Sequence, residues 1–169
     1  MKAVVLEGKG LVAYREVEKP VCGDDDIILE VKACGICGSD LHFYFGRMDP
    51  PGKMPHVMGH EFSGVIAEMG KNVDPYWHVG DRVVSDNTGD ACGRCPACSR
   101  GNFVACENRG TLGVTMDGGF TKYVKIPGKL LQMYKNCLWK IPEEPLHLEK
   151  IQISFPRCPT SMQQKLKSS

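Results

Sequence analysis

The chain has 169 residues, of which 42% are hydrophobic and 24% are charged, and these values are typical of a globular protein with a packed core. Its formal net charge of +1 gives no electrostatic basis for binding nucleic acid or a membrane surface. No apolar run approaches the ~20 residues that a membrane-spanning helix needs. An acid at Glu7 comes too early for a signal peptide, so we expect a cytoplasmic protein. Its nine cysteines are then expected to be metal ligands and free thiols.

The first third of the chain predicts β-structure. Residues 1–7, Leu11–Val17 and Ile27–Ala33 have the length and composition of strands. In the third of these segments Ile27, Leu29, Val31 and Ala33 are expected to share one face, with Glu30 and Lys32 on the opposite face.

A short helix is expected after this third strand. Ser39 or Asp40 could cap it, and it would extend through Phe45, with Leu41 and Phe45 one turn apart on its inner side. Further along, the chain predicts strands at Phe62–Met69, after the turn at residues 79–82, and at Phe120–Ile126.

Four cysteines lie close together in the sequence. Two residues separate Cys92 from Cys95 and Cys95 from Cys98, and seven residues separate Cys98 from Cys106. Turns at Gly93 and Pro96 would let the thiolates converge, and four thiolates with no open position describe a structural zinc site. An iron–sulfur cluster is the alternative metal site, but its bacterial signature places three residues before the fourth cysteine. Disulfides or free thiols are the remaining interpretation.

Cys37, His60 and Glu61 form a second candidate cluster. Taken alone, a cysteine and a histidine this far apart prove little, because single residues of both types are often buried without a ligand role. Cys34 and Cys37 could also form a thioredoxin-like redox pair, although that motif is normally found in a βαβ unit and here the flanking sequence is β-type.

Four segments resemble the zinc-containing medium-chain dehydrogenases. They are Cys37-Gly38-Ser39-Asp40-Leu41-His42, Gly59-His60-Glu61, the turn Val79-Gly80-Asp81-Arg82-Val83 and the four-cysteine loop, and they occur in the family's order. The pairing of His60 with Glu61, and of Ser39 with His42, looks most like the polyol branch, which contains sorbitol-, threonine- and butanediol-type dehydrogenases.

The resemblance implies a role for each of these residues. Cys37 and His60 would bind a catalytic zinc, and Glu61 would be a third ligand or a carboxylate beside it. Ser39 would hydrogen-bond the substrate hydroxyl, and His42 would help to relay its proton to solvent. Each of these last two residues also has a simpler interpretation: Ser39 could only cap a helix, and His42 could only be a surface residue. Cys92, Cys95, Cys98 and Cys106 would hold the structural zinc. Cys22, Cys34, Cys137 and Cys158 are interpreted as non-ligands.

The fold implied by the resemblance is mainly β, with short helices. We expect a GroES-like, partly open barrel at residues 1–128 with a structural zinc lobe at 86–110. Residues 129–169 are predicted to be a degenerate, partly disordered tail. No Gly-x-Gly-x-x-Gly fingerprint of a Rossmann domain occurs in the sequence.

The function implied is the oxidation of an alcohol or polyol, with hydride transfer to NAD(P). Because the nucleotide-binding half is missing, we also expect a truncated gene product. The alternative function is a catalytically inactive zinc-binding domain, which could form a homo-oligomer or pair with a full-length subunit.

Overall fold

The computed structural model describes residues 1–127 and the backbone of residues 138–140. Short β-strands dominate this part of the chain, and the helices are one or two turns long. The strands are β1 (Lys2–Gly8), β2 (Leu11–Glu16), β3 (Ile27–Gly35), β4 (His56–Val57), β5 (Glu61–Met69), β6 (Arg82–Ser85), β7 (Thr88–Asp90), β8 (Gly110–Thr111), β9 (Tyr123–Ile126) and β10 (Leu138–Lys140). The helices are α1 (Gly38–Tyr44), α2 (Pro96–Ser99) and a 3₁₀ turn at Phe103–Ala105.

The strands form three antiparallel sheets. One sheet has 3 strands in the order β2-β1-β4, a second has 5 strands in the order β10-β6-β5-β3-β9, and β7 pairs with β8. A bridge between Ala3 and Thr121 joins the two larger sheets, together with a 2.9 Å hydrogen bond from Val4 N to Phe120 O. The predicted mainly β architecture, in which a sheet curves partly around on itself, is therefore confirmed.

The main hydrophobic core lies against the five-stranded sheet. Phe62 and Ile66 of β5 pack with Leu29 of β3 and Val124 of β9, and the same cluster continues into the four-cysteine loop. Burying a side chain of this size stabilises the fold by about 1.5–3 kcal/mol. The four-cysteine loop therefore packs on the same core as strand β5, which directly follows His60.

The predicted alternation along β3 is interrupted by two bulges. Ile27, Ile28 and Leu29 are each 0% exposed, so both faces of the strand are buried at its start. The pairing of β3 with β5 shifts register between Ile28 and Leu29 and again between Val31 and Ala33. Such bulges interrupt the two-residue period on which the expectation depended.

The last predicted strand starts three residues later than expected. The residues just before Tyr123 contact other segments than β3. Phe120 N donates to Met58 O at 2.9 Å, and Thr121 bridges to Ala3. This connection closes one side of the barrel before the chain joins β3 as strand β9.

The predicted tail at residues 129–169 lies outside the described residues except at 138–140. There, β10 pairs with β6 and places Leu138 opposite Ser85. The boundaries 1–128 and 86–110 remain predictions. Within the described ranges, no helix has the length and apolar character needed to cross a bilayer.

Candidate metal centres

Helix α1 begins directly after Cys37. The backbone of Cys37 is extended, with φ −85° and ψ 160°, and this residue is the N-cap. Asp40 occupies the third helical position, where its Oδ2 accepts a hydrogen bond from Cys37 N at 2.8 Å. The expectation that Ser39 or Asp40 is the cap is therefore wrong by two or three residues. The correct arrangement is half of a capping box, in which the acid reaches back to the cap amide.

The buried face of α1 also differs from the prediction. Asp40 and Phe43 face inward, at 3% and 2% exposure, whereas Leu41 and Phe45 are 49% and 57% exposed. Phe43 packs with Leu6 and Met58. The predicted inner pair, Leu41 and Phe45, is thus on the outside.

His60 follows a turn that requires glycine. Gly59 has φ +90°, and a Cβ there would lie 2.7 Å from the Phe120 ring, so a side chain would be both strained and blocked. The turn delivers His60 in a buried position at the start of β5. Glu61 comes next and pairs with Gly35 of β3, where a Cβ would lie only 2.9 Å from Glu61 Oε2. Glycine at position 35 leaves room for this carboxylate.

The structure brings Cys37, His60 and Glu61 together. One ligand atom from each lies within 4.8 Å of the others. His60 and Glu61 also line an open cleft of about 450 Å³. A thiol, an imidazole and a carboxylate beside an open space are the donor set of a zinc site that keeps a position free.

Asp40 contacts both halves of this cluster. Besides accepting the Cys37 amide, it places Oδ1 3.6 Å from His60 Nδ1. Within the described part of the chain, neither of these two buried atoms has a hydrogen-bond partner. Sequence analysis considered Asp40 only as a cap. The Cys-x-x-Asp spacing of a capping box was the signal that could have tied it to Cys37.

Ser39 and His42 lie on the first and second turns of α1. Ser39 is half-buried and His42 is exposed, and neither belongs to the cluster that converges within 4.8 Å. Their predicted roles in substrate binding and proton relay remain predictions.

The four thiols of the cysteine loop converge in the same way. Cys92, Cys95, Cys98 and Cys106 have sulfur atoms within 4.8 Å of one another. Gly93 and Gly101 make the turns, with φ +72° and +74°, and Pro96 begins α2 between them. This closed set of four sulfurs fits a structural zinc ion.

Backbone N–H groups supply positive potential to these sulfurs. Cys106 Sγ accepts from Cys92 N at 3.3 Å and from Asn108 N at 3.4 Å. Hydrogen bonds from the Arg94 and Cys95 amides lower the pKa of the Cys92 thiol to about 6. Burial, in contrast, raises the pKa of Cys98 to about 12. Four thiolates this close together repel one another and are partly buried, so a bound cation would favour their common ionisation.

The Arg109 guanidinium reaches the loop that lines the cleft. Its Nη2 donates to Asn87 Oδ1 at 2.6 Å and to Thr88 Oγ1 at 3.2 Å. Arg109 N also donates to Cys106 O at 3.2 Å. The cysteine lobe is thereby tied to the loop that lines the cleft of His60 and Glu61.

Comparisons with known proteins agree with this geometry. Residues 23–136 match the family model for the alcohol dehydrogenase GroES-like domain. The chain is 42% identical over 149 residues to the uncharacterized zinc-type alcohol dehydrogenase-like protein YdjL of Escherichia coli K12, covering 85% of this chain and 41% of YdjL. It is 43% identical over 126 residues to a sorbitol dehydrogenase of Halalkalibacterium halodurans, covering 73% of this chain and 36% of that enzyme.

A solved structure shows the same likeness. A protein of Sinorhizobium meliloti 1021, described as a zinc-binding dehydrogenase and solved bound to NADP, superposes with a TM-score of 0.72 at 38% identity, covering 86% of this chain and 40% of that one. The chain therefore spans about two fifths of the length of these relatives. It belongs to the zinc-type alcohol dehydrogenase family, of which it carries the GroES-like domain.

Proposed function

We propose that this chain is the zinc-binding part of an oxidoreductase that converts an alcohol or polyol hydroxyl to a carbonyl. The observation that carries the proposal is the convergence of Cys37, His60 and Glu61 within 4.8 Å beside an open cleft. The sorbitol dehydrogenase among the relatives supports a substrate of this class.

Cys37 and His60 would hold the ion as thiolate and neutral imidazole. Glu61 would be a third ligand or a carboxylate beside it, and its exposed position leaves it able to move between these two arrangements. A zinc ion held here would polarise a substrate hydroxyl and lower its pKa. Asp40 would keep the His60 ring oriented through Nδ1, which leaves Nε2 for the ion.

Ser39 and His42 would handle the proton that leaves the substrate hydroxyl. Ser39 follows Cys37 by two residues and is half-buried, so its hydroxyl could hydrogen-bond the substrate. His42 is exposed to solvent, so its imidazole could pass this proton to water.

The described residues do not form a binding site for NAD(P), the hydride acceptor. Dinucleotides bind where a strand passes through a glycine-rich turn into a helix, and in residues 1–127 the longest helix is α1, with 7 residues. We therefore assign no hydride step to these residues, and an NAD(P) site would have to lie outside residues 1–127.

A second candidate function does not require a nucleotide site in this chain. Without a nucleotide site, the chain would be a catalytically inactive zinc-binding domain or the partner of a full-length subunit. Its exposed apolar side chains, which include Ile36 at 72% exposure, are compatible with such pairing.

Metal analysis combined with nucleotide titration separates these functions. We expect two zinc ions per chain. Cys37→Ser and His60→Ala should each lose one ion and retain the other, because the cysteine lobe is a separate site. A wild-type protein that retains only the lobe zinc would refute the proposed function. With both zincs present, saturable NAD(P) binding and polyol oxidation by the chain alone would establish an independent enzyme. No nucleotide binding would identify the inactive zinc-binding domain.

A further inference from the structure

The cleft beside His60 and Glu61 has a polar wall. This wall is formed by Ser85 at the end of β6 and by Asp86 and Asn87, which connect β6 to β7. All three residues are half-buried. An alcohol entering the cleft would therefore meet hydroxyl, carboxylate and amide groups within the same space as the metal-binding candidates.

The conformation of this loop is held by local hydrogen bonds. Asn87 N donates to Ser85 Oγ at 3.0 Å, and Thr88 N donates to Asp86 Oδ1 at 2.8 Å. Asn87 has φ +65° and is the one described residue other than glycine with a positive φ. Unusual backbone conformations persist only where the surroundings impose them, and here the two side-chain contacts and Arg109 do so.

These contacts determine which polar atoms remain for a ligand. Asp86 Oδ1 is used by the Thr88 amide, so Oδ2 is the oxygen left to accept a hydrogen bond. Arg109 has only donors, and its contact with Asn87 Oδ1 at 2.6 Å leaves Asn87 Nδ2 as a donor. Asp86 and Asn87 thus offer one acceptor and one donor.

A hydroxyl group can donate and accept at once, whereas an alkyl chain can do neither. Placing an alkyl chain against Asp86 would remove water from its carboxylate without replacing the lost hydrogen bonds, and this is unfavourable. A carbon chain with several hydroxyls would satisfy both wall residues while one hydroxyl reaches the metal-binding side.

We propose that Asp86 is a specificity-determining residue that binds a second hydroxyl of a polyhydroxylated substrate, with Asn87 assisting it. This inference rests on the proposed function, because it requires a substrate hydroxyl at the site of Cys37 and His60. It predicts that a polyol binds in preference to a simple alcohol.

The test uses the chain with cobalt(II) in place of zinc, so that the visible absorption of the open site reports ligand binding. D-sorbitol and 1-butanol are the probes. Asp86→Ser removes Oδ2 but keeps one oxygen that can accept the Thr88 amide in the same local turn. Asp74→Ser is the matched control, because Asp74 Oδ1 accepts Tyr76 N at 2.8 Å in an equivalent turn outside the cleft lining.

In the wild type and in Asp74→Ser, sorbitol should bind more tightly than butanol. Asp86→Ser should weaken sorbitol binding by about tenfold, the effect of losing one hydrogen bond to a charged group, and leave butanol binding within about twofold. Asn87→Gly keeps the positive φ accessible and should also weaken the binding of sorbitol but not of butanol. This variant decides the test if Asp86→Ser fails to fold. Equal losses of affinity for sorbitol and butanol, or no loss for either, would overturn the role of Asp86 but not the proposed function. Wild-type protein in which neither probe perturbs the open-site spectrum would overturn the proposed function with it.

Discussion

Asp40 Oδ1 lies 3.6 Å from His60 Nδ1, while Oδ2 of the same carboxylate accepts the Cys37 amide at 2.8 Å. One buried side chain thus connects the two candidate ligands, which are 23 residues apart in the sequence. Because Asp40 is fixed on α1, it relates the position of the Cys37 backbone to the orientation of the His60 ring.

Replacing Asp40 should weaken metal binding at the open site only. Asp40→Asn retains an oxygen for the Cys37 amide but removes the charge that faces His60, so we expect affinity for the open-site metal to fall by about 10–100-fold. Competition with a chelator measures this change. The lobe zinc is the internal control, and a loss of both metals would mean that the variant misfolds.

Loss of one lobe thiol should remove the lobe zinc and destabilise the folded chain. Cys95→Ser opens a four-sulfur shell, so we expect one zinc fewer per chain and a lower melting temperature, because metal binding contributes to the folding free energy. Cys22→Ser is the control, since Cys22 lies in neither cluster of converging ligand atoms. Unchanged zinc content and melting in Cys95→Ser would contradict a structural zinc.

Thiol reactivity should follow the pKa shifts. The thiolate is the reactive form, so in metal-stripped chain Cys92, with a pKa of about 6, should be alkylated rapidly by iodoacetamide at pH 7.5. Cys34 should react slowly, because burial raises its pKa to about 11. Mass spectrometry of peptides measures both rates. Zinc should protect Cys92, and equal labelling with and without zinc would argue against its ligand role.

The turn before His60 should not tolerate a side chain. Gly59→Ala combines a positive φ with a Cβ 2.7 Å from Phe120, so we expect the free energy of unfolding to fall by about 2–4 kcal/mol. Gly80→Ala is the matched control: Gly80 has φ +97° with nothing within 4 Å of the added Cβ, and should cost about 1 kcal/mol. Chemical denaturation compares the two. Equal losses of unfolding free energy in the two variants would show that the close approach of Phe120 to Gly59 does not affect stability.

The sequence was most informative where the signal is local. The spacing of Cys92, Cys95 and Cys98 is sufficient to predict a sulfur cluster, because tight turns bring such neighbours together. Pairing Cys37 with His60 is different, since it depends on strands brought together across the sheet, and only the family resemblance predicted it.

The errors arose where long-range contacts decide the structure. Leu41 and Phe45 were placed on the inner side of α1 because both are apolar and lie one turn apart, but Asp40 and Phe43 are the buried residues. The strand pair β7 and β8 is too short to have a recognisable period. The contact from Arg109 to Asn87, 22 residues away in sequence, has no local signal at all.

Zinc-edge anomalous diffraction from a crystal of this chain is the most direct test of two metal centres. We predict two peaks, one bound by Cys37 and His60 and the other surrounded by Cys92, Cys95, Cys98 and Cys106. A single peak in the cysteine lobe, from protein prepared with excess zinc, would contradict a metal-dependent open site and the function proposed for it.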